Sequence, residues 1–251
     1  MVTRAARKLS RLPPEDRIAE IMVAARAVLA GKGYENFLPA DVAARCGVSE
    51  ATVYRYFPTK RDLLVRVAED WFGELLSVEP EVEQQHDVFQ QLRHVIRHSL
   101  AVVRKEPSLT RFVLLELRAD PTYRSMHIYM LNRRFTSTVS NVIKEAVLKG
   151  IFRTDVSPTL ARDMIFGCIE HQTWPYLRGQ GDFSVDAVAD GITNIIFQGL
   201  AAAPARDRDR LGAALGRIEA GAKALNDEVK TLKGALGVTA TQPHPTPDRE
   251  R

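Results

Sequence analysis

Tyr54, Arg55 and Tyr56 are three consecutive residues able to meet a nucleic acid, and Lys60 follows four positions later. A guanidinium fork can bind guanine through two parallel hydrogen bonds, while phenol hydroxyls and an ammonium suit phosphate oxygens. This is binding chemistry. Sets suited to catalysis or metal capture are poorer. His94 and His98 would share a helix face, as half a zinc site does, but no adjacent acid or cysteine completes them. Cys168 and His171, with Glu170 beside them, raise the same idea, and a simply buried cysteine explains them as well. Cys46 has only Arg45 nearby to lower its pKa, which argues against a redox switch. No nucleophile elbow surrounds a serine and no Gly-rich phosphate loop is present. An enzyme and a cofactor are therefore not expected.

The elements that must position Tyr54 to Lys60 are legible in LPADVAARCGVSEATVYRYFPTK, residues 38–60. Pro39 suits a first helical position and Asp41 the positive end of a helix dipole. Val42 and Ala43 give this short helix its buried side. Gly47 supplies the left-handed residue that stops it. Ser49 is placed to cap a second helix, in which Val53 and Phe57 point inward and Thr52, Tyr54, Arg55 and Tyr56 outward. Pro58 ends that helix. Thr59 caps the next, with Asp62 three residues on as an acidic capping box. Helix, Gly turn, helix is the layout of a DNA-reading helix-turn-helix; the competing reading is a hairpin in an ordinary helical core. The second helix has little apolar surface to bury, which favours the first reading.

The segment GVSEATVYRYFPTKRDLL resembles the signature of the TetR family of bacterial transcriptional regulators over about residues 15–72. The family usually carries Thr-Thr before the first of these helices, where this chain has Phe37 and Leu38. A hydroxyl cap and a phosphate contact are lost there, so the second helix carries more of the expectation. Arg55 is the expected base contact, with Glu50 and Ala51 near the helix end that approaches base edges. By the resemblance, Tyr54, Tyr56 and Lys60 are backbone contacts, with Ser49 and Thr52 at the helix start.

Composition bounds the rest. The 251 residues are 45% hydrophobic, enough for one large or two smaller domains with a sizeable core. A net charge of +4 is compatible with a DNA partner without requiring one. Two distant cysteines suit a reducing cytoplasm, with nucleoid association when DNA is bound. No apolar run reaches the roughly 18 residues of a membrane span, and the basic N-terminus lacks the apolar region of a secretory signal.

Taken in order, residues 1–12 carry Arg4, Arg7, Lys8 and Arg11, and read as a disordered arm able to follow a DNA backbone. Residues 13–60 form the helix-turn-helix domain, opening on a long helix from Pro13-Pro14 with Gly31 and Gly33 at its end. Residues 61–78 form a connecting helix. Residues 79–203 read as a helical bundle with helices starting near Val88, Pro107, Pro121, Ser157-Pro158 and Val185. No alternating strand segment is present, so the class is all-α. Within the bundle, Phe166, Glu170 and Trp174 recur every four residues along one helix. The resemblance implies a small-molecule pocket here and a dimer interface on the last two bundle helices. An apolar face with one acid and one tryptophan suits a hydrophobic or amphipathic effector, with Phe112, Met130, Phe166, Glu170 and Trp174 as candidate lining; plain dimer core is the competing reading.

After Pro204 the pattern changes. Leu211, Leu215, Ile218, Ala222, Leu225, Val229, Leu232 and Leu236 alternate steps of four and three across residues 207–237. This is a heptad pattern with Leu211, Ile218, Leu225 and Leu232 at d, and Leu215, Ala222, Val229 and Leu236 at a. Glu228 at g and Lys233 at the following e can pair between parallel chains. The rival reading is one amphipathic helix lying on its own domain. Gly212, Gly216 and Gly221 each weaken the helix by about 1 kcal/mol, so a coil would be modest. Residues 238–251 read as a disordered tail.

The sequence thus predicts an all-α protein: a helix-turn-helix head, a ligand-binding and dimerisation bundle, and a C-terminal coiled-coil-like helix. It would bind a near-palindromic operator as a homodimer and respond to an effector, with repression as the default the resemblance implies. A sequence-neutral architectural DNA-binding protein is the alternative, and an activator role also fits.

Overall fold

The computed structural model describes residues 13–77, 87–202 and 205–236, with side chains of the last segment described from residue 211. The basic arm of residues 1–12 and the tail of residues 238–251 lie outside the described residues. All described elements are helical apart from one isolated bridge between Phe152 and Ala201. The described residues fall into two compact units divided after Ala201.

In the first unit, α1 (Pro14–Lys32) starts with proline in the first turn and Glu15 and Asp16 beside it. It buries Ile21, Met22, Ala25, Val28 and Leu29 on one side. The sequence placed Gly31 at its end, but the helix runs through Gly31 and stops at Gly33, where φ is 72°. Helix α2 (Pro39–Cys46) ends on left-handed Gly47, and α3 (Glu50–Tyr56) follows after two residues. Helix α4 (Lys60–Ser77) opens with reciprocal bonds: Thr59 N donates to Asp62 Oδ2 at 3.1 Å, and Asp62 N to Thr59 Oγ1 at 3.0 Å.

The bundle comprises α5 (Val88–Lys105), α6 (Pro107–Arg111), α7 (His127–Leu148), α8 (Pro158–Leu177) and α9 (Val185–Leu200). Asp87, Ser157 and Ser184 cap α5, α8 and α9 by accepting backbone N–H bonds. One sequence expectation fails between α6 and α7, beyond a local change of helix type. The Phe112–Leu117 stretch is a π turn, closed by Arg118 N donating to Val113 O at 3.0 Å. Pro121 does not start α7. Asp120 Oδ1 instead accepts from Thr122 N at 2.7 Å, forming a local turn, and buried Tyr123 pins a short 3₁₀ segment ahead of His127.

Two apolar cores run through this unit. One joins α1–α4 to Leu109, Phe112, Val113, Leu117, Tyr123 and Ile128. The head therefore shares a core with the front of the bundle, through Leu64, Trp71 and Phe72 of α4. The other core fills the space among α5, α7, α8 and α9. The second unit holds α10 (Ala205–Ala235), 31 residues of continuous helix despite its glycines.

Candidate functional site

The outer face of α3 is assembled by burial on the opposite side. Val53 and Phe57 are buried, which turns Glu50, Ala51, Tyr54 and Arg55 outward. Ser49 Oγ accepts from Thr52 N at 3.2 Å and lies 2.8 Å from Thr52 Oγ1, which fixes the start of the helix. The Arg55 guanidinium rests 5.1 Å from the centre of the Tyr56 ring and is otherwise exposed. Exposed phenol, guanidinium and hydroxyl groups thus share one face of seven helical residues.

Lys60 stands apart from that face. Its ammonium donates to Tyr34 O at 2.6 Å and sits 4.2 Å from the centre of the Tyr34 ring. It ties α4 to the turn after α1. Leu38 occupies the cap position of α2, makes no side-chain cap and is exposed. Cys46 is half-buried, with Sγ 3.7 Å from Glu20 O. Burial and then the Glu20 carboxylate push its thiol pKa up, so the reactive thiolate is disfavoured.

The second site is a small, largely apolar cavity of about 70 Å³. Helix α4 lends Trp71, Phe72 and Leu75 to its wall. The π turn and its flanks add Thr110, Val113, Leu114 and Arg118, and α7 adds Asn132, Phe135 and Thr136. Phe166, Ile169, Glu170 and Thr173 close it from α8. Thr110 Oγ1 is buried without a hydrogen-bond partner among the described residues. Arg118 Nη1 pairs with Glu170 Oε1 at the boundary with a polar cleft of about 330 Å³. Arg133 and Arg162 line that cleft beside Tyr129 and Asp163.

Of the residues the sequence nominated for a pocket, Phe166 and Glu170 line this cavity and three do not. Phe112 is buried in the head core, with its ring 5.2 Å from that of Tyr34. Met130 lies on the side of α7 away from Asn132 and Phe135 and is 62% exposed. Trp174 sits under Arg178. A four-residue step overshoots a helical turn by about 40°, so two steps from Phe166 carry Trp174 off the cavity face. The sequence reading missed the α4 contribution, although the Trp71-Phe72 pair in a connecting helix was its signal. The His98 ring packs 6.0 Å from that of Phe135, and burial, then His94, lowers its pKa.

Ion pairs span the head and the bundle. Arg26 Nη2 lies 2.6 Å from Glu106 Oε1, and its Nη1 2.7 Å from Glu74 Oε1. Arg61 on α4 reaches Asp120 at 2.5 Å, and Arg111 reaches Glu35 at 2.5 Å.

An exposed second helix of a helix-turn-helix, rooted in one core with the wall of an apolar pocket, is the layout of a DNA-binding regulator. Residues 21–67 match the family model of bacterial regulatory proteins, tetR family, and residues 85–200 the tetracyclin repressor-like C-terminal domain. The chain belongs to the TetR family of bacterial transcriptional regulators. The fatty acid metabolism regulator protein of Bacillus subtilis (strain 168) is 22% identical over 182 residues, which cover 72% of this chain and 94% of that protein. The structure of FadR from Bacillus subtilis in complex with stearoyl-CoA superposes with a TM-score of 0.62 at 22% identity, covering 72% of this chain and 98% of that one. AibR in complex with isovaleryl coenzyme A and operator DNA gives 0.54 at 22% identity, with coverage of 72% and 98%. No described helix is long and apolar enough to cross a membrane.

Proposed function

We propose that the protein is a repressor that leaves its operator when an acyl thioester enters the cavity behind α4. The observation that carries this reading is that Trp71, Phe72 and Leu75 belong both to the helix that holds the DNA-reading head and to the cavity wall. An occupant of this pocket therefore presses on the helix that carries the head. The relatives that bind acyl-CoA or isovaleryl coenzyme A supply the ligand class. The chemistry of the site suits it: an acyl chain fits the apolar wall, the Thr110 hydroxyl can donate to a thioester carbonyl, and Arg118, Arg133 and Arg162 suit an anionic head.

Residues 13–60 are the reading head in this proposal, 61–78 the lever, and 79–203 the effector and dimer domain. Arg55 reads a base; Glu50 and Ala51 approach base edges; Ser49, Thr52, Tyr54 and Tyr56 hold the backbone. Lys60 donates one N–H to Tyr34 O and keeps two for a phosphate. Two copies join through α8 and α9, where Met164 and Ile195 are 52% and 74% exposed beside Gly167 and Gly191. An isologous contact there covers an apolar groove and sets two heads on successive major grooves, about 34–36 Å apart.

Thermal shift with an acyl-CoA chain-length series, free coenzyme A and choline tests the ligand class. Stabilisation that depends on chain length, and is absent with coenzyme A alone, is the expected result. Stabilisation by choline and by no thioester would overturn it.

A further inference from the structure

Helix α10 carries the most extensive apolar stripe left uncovered in the described chain. Leu211, Leu215, Ile218, Leu225, Val229, Leu232 and Leu236 are between 39% and 74% exposed, and Ala222 is exposed with them. The family models end at residue 200, before this helix begins. The TetR plan therefore gives the stripe no task. A helix of this length with a single apolar seam needs a partner for that seam.

We infer that α10 pairs with α10 of a second copy as a parallel, in-register two-stranded coiled coil, adding a second dimer contact beyond the TetR plan. The inference stands whether or not the effector proposal holds. Three observations select the occupant and the orientation. The four–three spacing is unbroken across nearly four heptads, which is the period of a helix pair rather than of a helix lying on a globular surface. Leucine or isoleucine fills every d position, and in the most C-terminal full heptad Val229 at a lies between Leu225 and Leu232, which favours two parallel strands there.

The third observation is charge. Glu228 at g and Lys233 at the next e have no ion-pair partner among the described residues of their own chain. In a parallel pair each Glu228 faces the partner's Lys233, twice by symmetry. In a fully overlapped antiparallel pair Glu228 would face Gly221 and Lys233 would face Gly212, so neither charge is matched. Among the described residues of α10 one ion pair forms, Lys230 to Asp227, at b and f, clear of the seam. Ala222 is the thin point of the seam, which is consistent with a coil that adds to another dimer contact rather than replacing it.

Disulfide trapping in the full chain tests this, in a background of Cys46→Ser and Cys168→Ser. Val229→Cys should give a covalent dimer under mild oxidation at least tenfold faster than Ala220→Cys, at the outer f position. Glu228→Lys in the Val229→Cys chain should slow trapping several-fold, and adding Lys233→Glu should restore it. Equal trapping at 220 and 229 would overturn the inference. So would Val229→Cys that stays uncoupled alone but couples to Ile218→Cys in a mixture, the signature of an antiparallel pair. A Glu228→Lys effect that Lys233→Glu fails to rescue would refute the parallel register.

Discussion

Arg26 in α1 and Glu106 at the start of α6 are joined by two guanidinium nitrogens on one carboxylate oxygen, Nε at 3.1 Å and Nη2 at 2.6 Å. Both side chains are partly buried, and Arg26 also holds the more exposed Glu74 of α4. One guanidinium thus connects the first head helix, the lever helix and the bundle. Removing it leaves two carboxylates facing each other in a partly desolvated place. Arg26→Met should lower stability by about 1–3 kcal/mol, read from urea midpoints. It should also weaken operator binding several-fold, although no DNA-facing residue is touched. Unchanged operator affinity would remove the network from the signalling path.

Arg55 and Lys60 should separate in DNA binding. Arg55→Ala should lose about 1–3 kcal/mol of discrimination at one base pair, measured by anisotropy against operators changed one position at a time. Lys60→Met should weaken all duplexes alike and also lower the unfolding midpoint, because it removes the bond to Tyr34 O. If Lys60→Met changed sequence preference, its assignment to the backbone would be wrong.

The outline of the head was legible because each boundary is set by one residue with a local cause. Gly47 must be left-handed, Ser49 caps, and Thr59 with Asp62 forms a reciprocal pair. The cavity was not legible in this way. It depends on side chains from five elements and on a π turn, whose widened spacing has no local composition signal. Met130 and Trp174 were apolar in the sequence, yet their rotation about α7 and α8 was decided by packing of residues elsewhere. The Asp120 turn that displaces the start of α7 outweighed the usual meaning of Pro121, because a side-chain cap and buried Tyr123 fix the chain there.

Thr110→Val should separate ligand binding from folding. The replacement is nearly isosteric and removes a hydroxyl without a partner among the described residues, so stability should hold or rise slightly. Affinity for the effector should fall by about 0.5–1.5 kcal/mol, up to roughly tenfold, by calorimetric titration. Equal affinity in both chains would show that the hydroxyl does not meet the ligand.

His98 sets an acid-side weakness. Burial, and then His94, lowers its pKa below the usual 6.5, so the unfolded chain takes up the proton first. The neutral ring is accommodated above pH 6.5, and stability falls as the pH drops from there through the folded-state pKa. His98→Phe should flatten that part of a urea-midpoint series between pH 7.5 and 5. A slope identical to that of the parent chain would assign the loss to other groups.

Occupancy of the cavity beside Trp71 and Phe72 must be felt at Arg55. Operator affinity measured by anisotropy at fixed salt, with and without a saturating acyl-CoA that binds the protein, tests it directly. The expected result is a loss of at least tenfold, about 1.4 kcal/mol of differential binding, with the same factor lost from acyl-CoA affinity when operator is present. An acyl-CoA that binds the cavity and leaves operator affinity unchanged would contradict it.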